Sequence, residues 1–372
     1  MGILKDIINT NKYIDLKIKN KKITFYSSNR NDWPHYETFI YDILGITDFK
    51  LCYICSDSKD PGLKIKNHNF NSYLVENKYV GNWLLKNIKT DIMFMTTPDL
   101  DNHYIFKRSN YNVHYVYIHH SMVSMHSVYN ARAFNCFDTI FCSGDHHCNE
   151  IKEITKFYNI KEKNIVKFGY NKIDYLSNRK NNYKQNNLIY KRYHLLIAPS
   201  WGENCIIENG LIIQIIRKFL NLKYKVTLRP HPQTIKYSLK KVNNIKDLFS
   251  RELNFELNDD LLNNSSFFES DFMISDWSGA AFEYSLGLLK PVLFVDTPMK
   301  VNNLDFTFMK LKVFEEYMRT IVGEIYDQSK NYEINKIKRI TRSEANKFIY
   351  TFKNEKNPGI EFLNNYFIDF IV

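Results

Sequence analysis

Two short stretches in the second half of the chain carry residue types suited to binding and transferring phosphate. Ile274-Ser275-Asp276-Trp277-Ser278-Gly279-Ala280-Ala281-Phe282-Glu283 runs from an apolar, strand-like end through a polar turn into a helical pattern. Asp276 or Ser278 can cap that helix. The Ser275 and Ser278 hydroxyls can donate to phosphate oxygens, and Gly279, Ala280 and Ala281 let a ligand approach the backbone. Glu283 falls about one and a half turns into the helix, where a carboxylate can accept a ribose hydroxyl. An ordinary Ser/Asp cap on an amphipathic helix fits the same pattern. The second stretch is Thr227-Leu228-Arg229-Pro230-His231-Pro232. Its prolines fix the backbone on both sides of His231 and stop the strand. Arg229 offers a two-pronged donor and His231 a neutral or charged one. A rigid loop with solvated Arg and His is the plainer alternative. Polar turns between strand ends and helix starts favour anions, so the two stretches point to a nucleotide-activated donor.

A third group ends an apolar run in the first half, at His119-His120-Ser121. A histidine closing a strand of an open α/β sheet is well placed as a general base. Adjacent residues of an extended chain point to opposite faces, so at most one of the two faces a cleft. His126, His146, His147 and Cys148 do not have the spacing of a metal site, and no metal or other cofactor is expected.

The elements that must hold these groups alternate between strand and helix. Residues 22–27, 49–55, 91–96, 114–118 and 139–143 read as strands, with helices at 33–44 and 80–85. Residues 175–192 break the pattern, and the Asn/Lys-rich run at 178–187 reads as a connector. A second cycle follows: strands at 194–198, 225–228, 272–274 and 292–295, and helices at 206–220, around 261–262, at 280–288 and at 334–352. Such alternation predicts parallel sheets covered by helices, with ligands at the carboxyl ends of the strands. The expected division is a first domain over 1–178, a second over 190–345, and a C-terminal helix within 346–372 that can pack back on the first.

With 372 residues the chain is long enough for two cores. Its formal net charge of +11 suits an acidic partner such as a nucleotide or an anionic lipid surface. No nucleic-acid-binding motif accompanies that charge, so nucleic acid is not expected. The six cysteines read as core thiols of a reducing compartment. No run of about 18 apolar residues occurs, so no membrane-spanning segment is expected.

In this order the motifs resemble those of the CDP-glycerol glycerophosphotransferases, the teichoic-acid primases and polymerases. Val116-Tyr117-Ile118-His119-His120-Ser121 resembles that family's strand ending in His-Gly. Phe137-Asp138-Thr139-Ile140-Phe141-Cys142-Ser143 and Phe168-Gly169-Tyr170-Asn171-Lys172-Ile173-Asp174 resemble its next two segments. Leu195-Leu196-Ile197-Ala198-Pro199-Ser200-Trp201 is similar to Tyr-Ala-Pro-Thr-Trp, Leu228 to Pro232 to Leu-Arg-x-His-Pro, and Ser275 to Gly279 to Ser-Asp-Tyr-Ser-Ser. Ser121 stands for the family glycine, Asn171 for its proline, Lys172 for its arginine and Gly279 for its second serine. The resemblance implies a GT-B fold, two Rossmann-like domains facing a central cleft. It also implies transfer of glycerol phosphate, or a related polyol phosphate, from a CDP-linked donor to a lipid-linked or polymeric surface glycan. His120 would be the base and His231 its catalytic partner across the cleft. Arg229, Ser275, Asp276, Ser278, Gly279 and Glu283 would hold the donor. The expected location is cytoplasmic, peripheral on the inner membrane face, with Ile3, Leu4, Ile7, Ile8, Tyr13 and Ile14 among lysines as the contacting stretch; an amphipathic helix packed on the first domain is the plainer alternative. The competing reading is a GT-B glycosyltransferase using a nucleotide sugar in capsule, O-antigen or cell-wall polysaccharide synthesis.

Overall fold

The computed structural model describes residues 2–101, 107–180, 192–260, 263–351 and 357–368. Seven strands build the first sheet: β1 (Ile23–Ser27), β2 (Leu51–Cys55), β3 (Phe70–Leu74), β4 (Ile92–Met95), β5 (His114–Ile118), β6 (Thr139–Cys142) and β7 (Asn164–Lys167). Six build the second: β8 (His194–Ile197), β9 (Lys225–Leu228), β10 (Phe255–Leu257), β11 (Phe272–Ser275), β12 (Val292–Phe294) and β13 (Gly323–Ile325). The orders are β3-β2-β1-β4-β5-β6-β7 and β10-β9-β8-β11-β12-β13, with every neighbouring pair parallel. The inner strands β1, β2, β4, β8 and β11 are mainly apolar and buried along their whole length, as helix-covered parallel strands must be. In each sheet the order reverses once, between β1 and β4 and between β8 and β11. A crevice opens beyond the carboxyl ends of the strands at such a point.

Each domain has two apolar layers, one on each face of its sheet. Phe25, Phe39, Phe94, Phe141 and Phe168 pack together on one side of the first sheet, mostly edge to face, with Phe25 and Phe94 stacked at 4.7 Å. The C-terminal helix Pro358–Ile368 lies on this layer, inserting Ile360, Leu363 and Phe367.

Several boundaries differ from the sequence reading. The break expected from residue 175 starts later: Asn171–Lys180 is a helix, packed on the helix of Trp33–Ile46 and on the turns of Glu283–Gly287. Residues 181–191, the rest of the expected connector, lie outside the described residues, as do Leu261 and Leu262. The helix expected at 206–220 begins only at Leu211, because Gly210 adopts φ 82°, a left-handed conformation that ends the preceding turn. The helix expected at 280–288 starts at Gly279 and widens into π-type turns over Glu283–Gly287. The long helix expected at 334–352 is absent over the described part, residues 334–351. A single turn at Ile334–Lys336 and a short capped helix at Arg342–Ala345 replace it. The cause is where its apolar residues go. Ile334 and Ile337 enter one face layer of the second sheet, whereas Ile340, Ala345 and Ile349 enter the other. A segment passing from one layer to the other cannot remain one straight helix.

Candidate active site

The two carboxyl-end crevices face each other across a cleft of about 1010 Å³. From the first domain come residues following β1 (Asp32, His35), β4 (Thr96, Thr97) and β5 (His120, Ser121). The second contributes residues following β8 (Ser200, Trp201), β9 (Arg229, His231), β11 (Ser278, Gly279) and β12 (Lys300).

At the end of β5 the two histidines part. His120 lines the cleft, with Nδ1 2.9 Å from the Tyr117 hydroxyl. Burial pushes its pKa down to about 4, against an opposing hydrogen bond with the Thr96 backbone. His119 points the other way, buried and stacked at 3.6 Å on the His147 ring, with neither ring nitrogen hydrogen-bonded. The neighbouring pair is structural too: His146 stacks on Phe314 at 3.9 Å, and His147 Nδ1 bonds Ser143 Oγ at 2.8 Å. Among the described residues no group of His, Cys, Asp and Glu is arranged to hold a metal ion. His35, which the sequence reading missed, also lines the cleft. It lies 6.4 Å from His120 between ring centres, and its Nδ1 has no partner.

The opposite wall is cationic. Arg229 is held by the Asn263 carbonyl at 2.5 Å and Asn264 Oδ1 at 3.3 Å, over the Phe267 ring. Burial brings its pKa down to about 10, so it stays charged at neutral pH. His231 caps the next helix: its Nδ1 accepts the Gln233 N–H at 3.1 Å. An accepting Nδ1 leaves the ring proton on Nε2, so neutral His231 is a donor there. Burial pushes its pKa to about 3, with Lys300 and other nearby cations adding to the shift, so the ring is neutral. Its ring lies against Trp201, and Lys300 Nζ sits 3.9 Å over the Trp201 face. Lys300 makes no ion pair among the described residues, and burial draws its pKa down to about 8. It follows β12 at a carboxyl end; applying the strand-end rule to every strand would have found it.

The Ser275–Glu283 stretch divides. Ser278 and Gly279 line the cleft, and Ser278 Oγ accepts the Ala280 N–H at 3.3 Å as a cap. Glu283 reaches the cleft with both oxygens engaged, by the Tyr170 hydroxyl at 2.7 Å and Lys172 Nζ at 2.8 Å. It thereby ties the second domain to the segment following β7. Ser275 and Asp276 do not reach the cleft. Ser275 Oγ donates to the Ala198 carbonyl at 2.7 Å. Asp276 is 1% exposed and accepts the Ser200 N–H at 2.6 Å and the Ile206 N–H at 3.0 Å. Both are instead spent on the segment after β8, behind the wall, where they fix the loop that carries Trp201. Asp276→Ala would strand two buried N–H groups, each bond to a charged acceptor contributing about 1.5–3 kcal/mol. We expect a loss of about 3 kcal/mol or more in denaturant unfolding. Unchanged stability with donor binding lost would return Asp276 to the ligand.

A profile of the CDP-Glycerol:Poly(glycerophosphate) glycerophosphotransferase family matches residues 16–351. The chain belongs to that family. It is a CDP-glycerol glycerophosphotransferase. Among solved structures, the wall teichoic acid polymerase TagF soaked with CDPG is similar, with a TM-score of 0.59 and 15% identity, covering 100% of this chain and 94% of that one. UDP-GlcNAc 2-epimerase from Methanocaldococcus jannaschii, in complex with UDP-GlcNAc and UDP, gives a TM-score of 0.53 at 12% identity, covering 92% and 99%. The S. aureus MnaA–UDP structure gives 0.51 at 14%, covering 77% and 82%. These likenesses show the GT-B fold. No curated protein matches the chain.

Proposed function

We propose that the acceptor hydroxyl enters the cleft beside His120 and attacks the phosphorus that carries the glycerol. A new P–O bond forms to the acceptor, the bond to CMP breaks, and the acceptor proton passes to His120 Nε2. For that transfer Nδ1 must hold the ring proton, and the Tyr117 hydroxyl lies within bonding distance to accept it. CMP departs with its negative charge opposite Arg229, Lys300 and Nε2–H of His231. Preorganised donors at the place where charge develops are the largest source of catalytic stabilisation in such sites. The observation that carries this reading is the pairing, across one cleft, of a neutral histidine wall with a cationic wall. Ser278 then belongs to the phosphate-binding wall, and Glu283 acts mainly by holding Lys172 and Tyr170 in place. Incubation with CDP-glycerol, CDP-ribitol and a panel of nucleotide sugars tests it. A phosphodiester product with CMP release supports the reading; a glycosidic product from a nucleotide sugar would replace it.

The first helix supports a membrane location for the acceptor. Gly2–Ile14 turns its polar residues inward: Asp6 Oδ2 accepts the Asn77 N–H, Tyr13 bonds Thr24 at 3.0 Å, and Thr10 is buried. Its apolar residues Ile3, Leu4, Ile7 and Ile8 face outward, with Leu4 67% exposed. The neighbouring helix Lys78–Asn87 adds exposed Trp83 and Tyr79, the latter 85% exposed, and Lys5, Lys12, Lys78 and Lys86 lie among them. No helix of the described residues is long and apolar enough to cross a membrane. We read this face as the contact with an anionic bilayer at the cytoplasmic surface, where a lipid-linked acceptor would be met. Each lysine near such a surface adds about 1 kcal/mol, screened by salt. The protein should sediment with anionic liposomes at low salt and be released by high salt. Leu4→Glu/Trp83→Glu should stay in the supernatant, and failure of the unaltered protein to sediment would remove the membrane contact.

A further inference from the structure

We propose that Ser121 supplies, from the first domain, the hydroxyl that binds the phosphoryl group being transferred, in the space that a side chain at residue 279 would fill. The inference rests on the donor reading above. Ser121 follows His120 and lines the same cleft, as do Ser278 and Gly279 on the facing wall. A Cβ placed on Gly279 would lie 2.4 Å from Ser121 Oγ, 3.6 Å from its Cβ and 3.6 Å from Val123 Cγ1. The two domains therefore meet here hydroxyl against bare backbone, and the corner has room for one side chain only. Ser121 Oγ makes no hydrogen bond among the described residues, although it borders a cleft lined by Lys172, Arg229, His231 and Lys300. An unused hydroxyl next to the candidate base, in a cationic cleft, is a donor waiting for an anionic oxygen.

Calorimetry on the full chain with CDP and with CMP tests this, because CMP lacks the second phosphate that Ser121 would touch. Ser121→Ala keeps the Cβ and removes only the hydroxyl. It should weaken CDP about tenfold, the scale of one hydrogen bond to a charged group, and leave CMP unchanged. S121G/G279S should restore most of the CDP affinity, since the hydroxyl then comes from the opposite wall, whereas S121G/G279A should not. Equal CDP affinity of S121A and the unaltered protein would overturn the proposal. So would equal rescue by G279A and G279S, which would reduce the pair to a matter of volume. If the double variants do not fold, S121A alone decides. Failure of the unaltered protein to bind CDP at all would strike the donor reading, a result distinct from either.

Discussion

His120→Ala should lower turnover by about 10²–10⁴-fold while leaving the affinity for CDP unchanged, as expected for loss of a general base that does not touch the nucleotide. The pH profile of the unaltered protein carries a second signature. The His120 pKa is lowered to about 4, chiefly by burial, so the proton-accepting form dominates at every pH above that value. The acidic limb of kcat should therefore lie near pH 4, well below the ordinary histidine value of about 6.5. His119→Ala serves as the control. It removes a buried ring stacked on His147, so it should lower the unfolding midpoint and leave kcat nearly intact. If His119→Ala were inactive while His120→Ala turned over normally, the base assignment would be wrong.

Ser278→Glu should abolish binding of both CDP and CDP-glycerol. Ser278 is 5% exposed, borders the cleft and caps the helix that begins at Gly279. A carboxylate there would put like charge against the phosphates and crowd Glu283 at the same wall. Ser278→Ala separates the two roles. It loses the cap, a cost of about 1 kcal/mol in stability, without adding charge, and should bind the donor more weakly but measurably. Calorimetry at neutral pH reads both variants, and thermal melts confirm that each is folded. Unchanged CDP affinity in Ser278→Glu would take this turn out of the donor site.

The inner strands were legible in the sequence because burial on both faces demands continuous apolar runs. The four strands it did not reveal are the four sheet edges, β3, β7, β10 and β13. Edge strands are short and half-solvated, and Asn71, Ser72, Asn164, Glu256 and Glu324 break up the apolar pattern. The positions of His120, Arg229, His231 and Ser278 on the cleft followed from one rule, that ligands gather at carboxyl strand ends. The same rule assigned Ser275 and Asp276 too much, because it does not say which side of a strand end faces the ligand. Lys300 and His35 also follow carboxyl strand ends, of β12 and β1, and were missed because no motif drew the rule to those ends. The Ser121–Gly279 contact was invisible in sequence, since nothing local links a loop of one domain to a helix of the other. The tail misled for a related reason: apolar residues at 334–349 look helical until they prove to serve two different layers.

The C-terminal helix gives the molecule an unusual order of assembly. Leu363 and Phe367 are buried against the phenylalanine layer of the first sheet, at Phe49 among others, although nearly the whole second domain separates them in the chain. Domains generally fold in turn as they leave the ribosome. Here the first domain to be synthesised is the last to be finished. During translation the part of its aromatic face beneath this helix stays uncovered until Pro358–Ile368 emerges, so a nascent chain must hold that surface open throughout synthesis of the second domain. A premature stop shortly before residue 358 would leave the cleft residues intact in sequence yet yield a protein with an exposed sticky face, a natural client for chaperones and proteases.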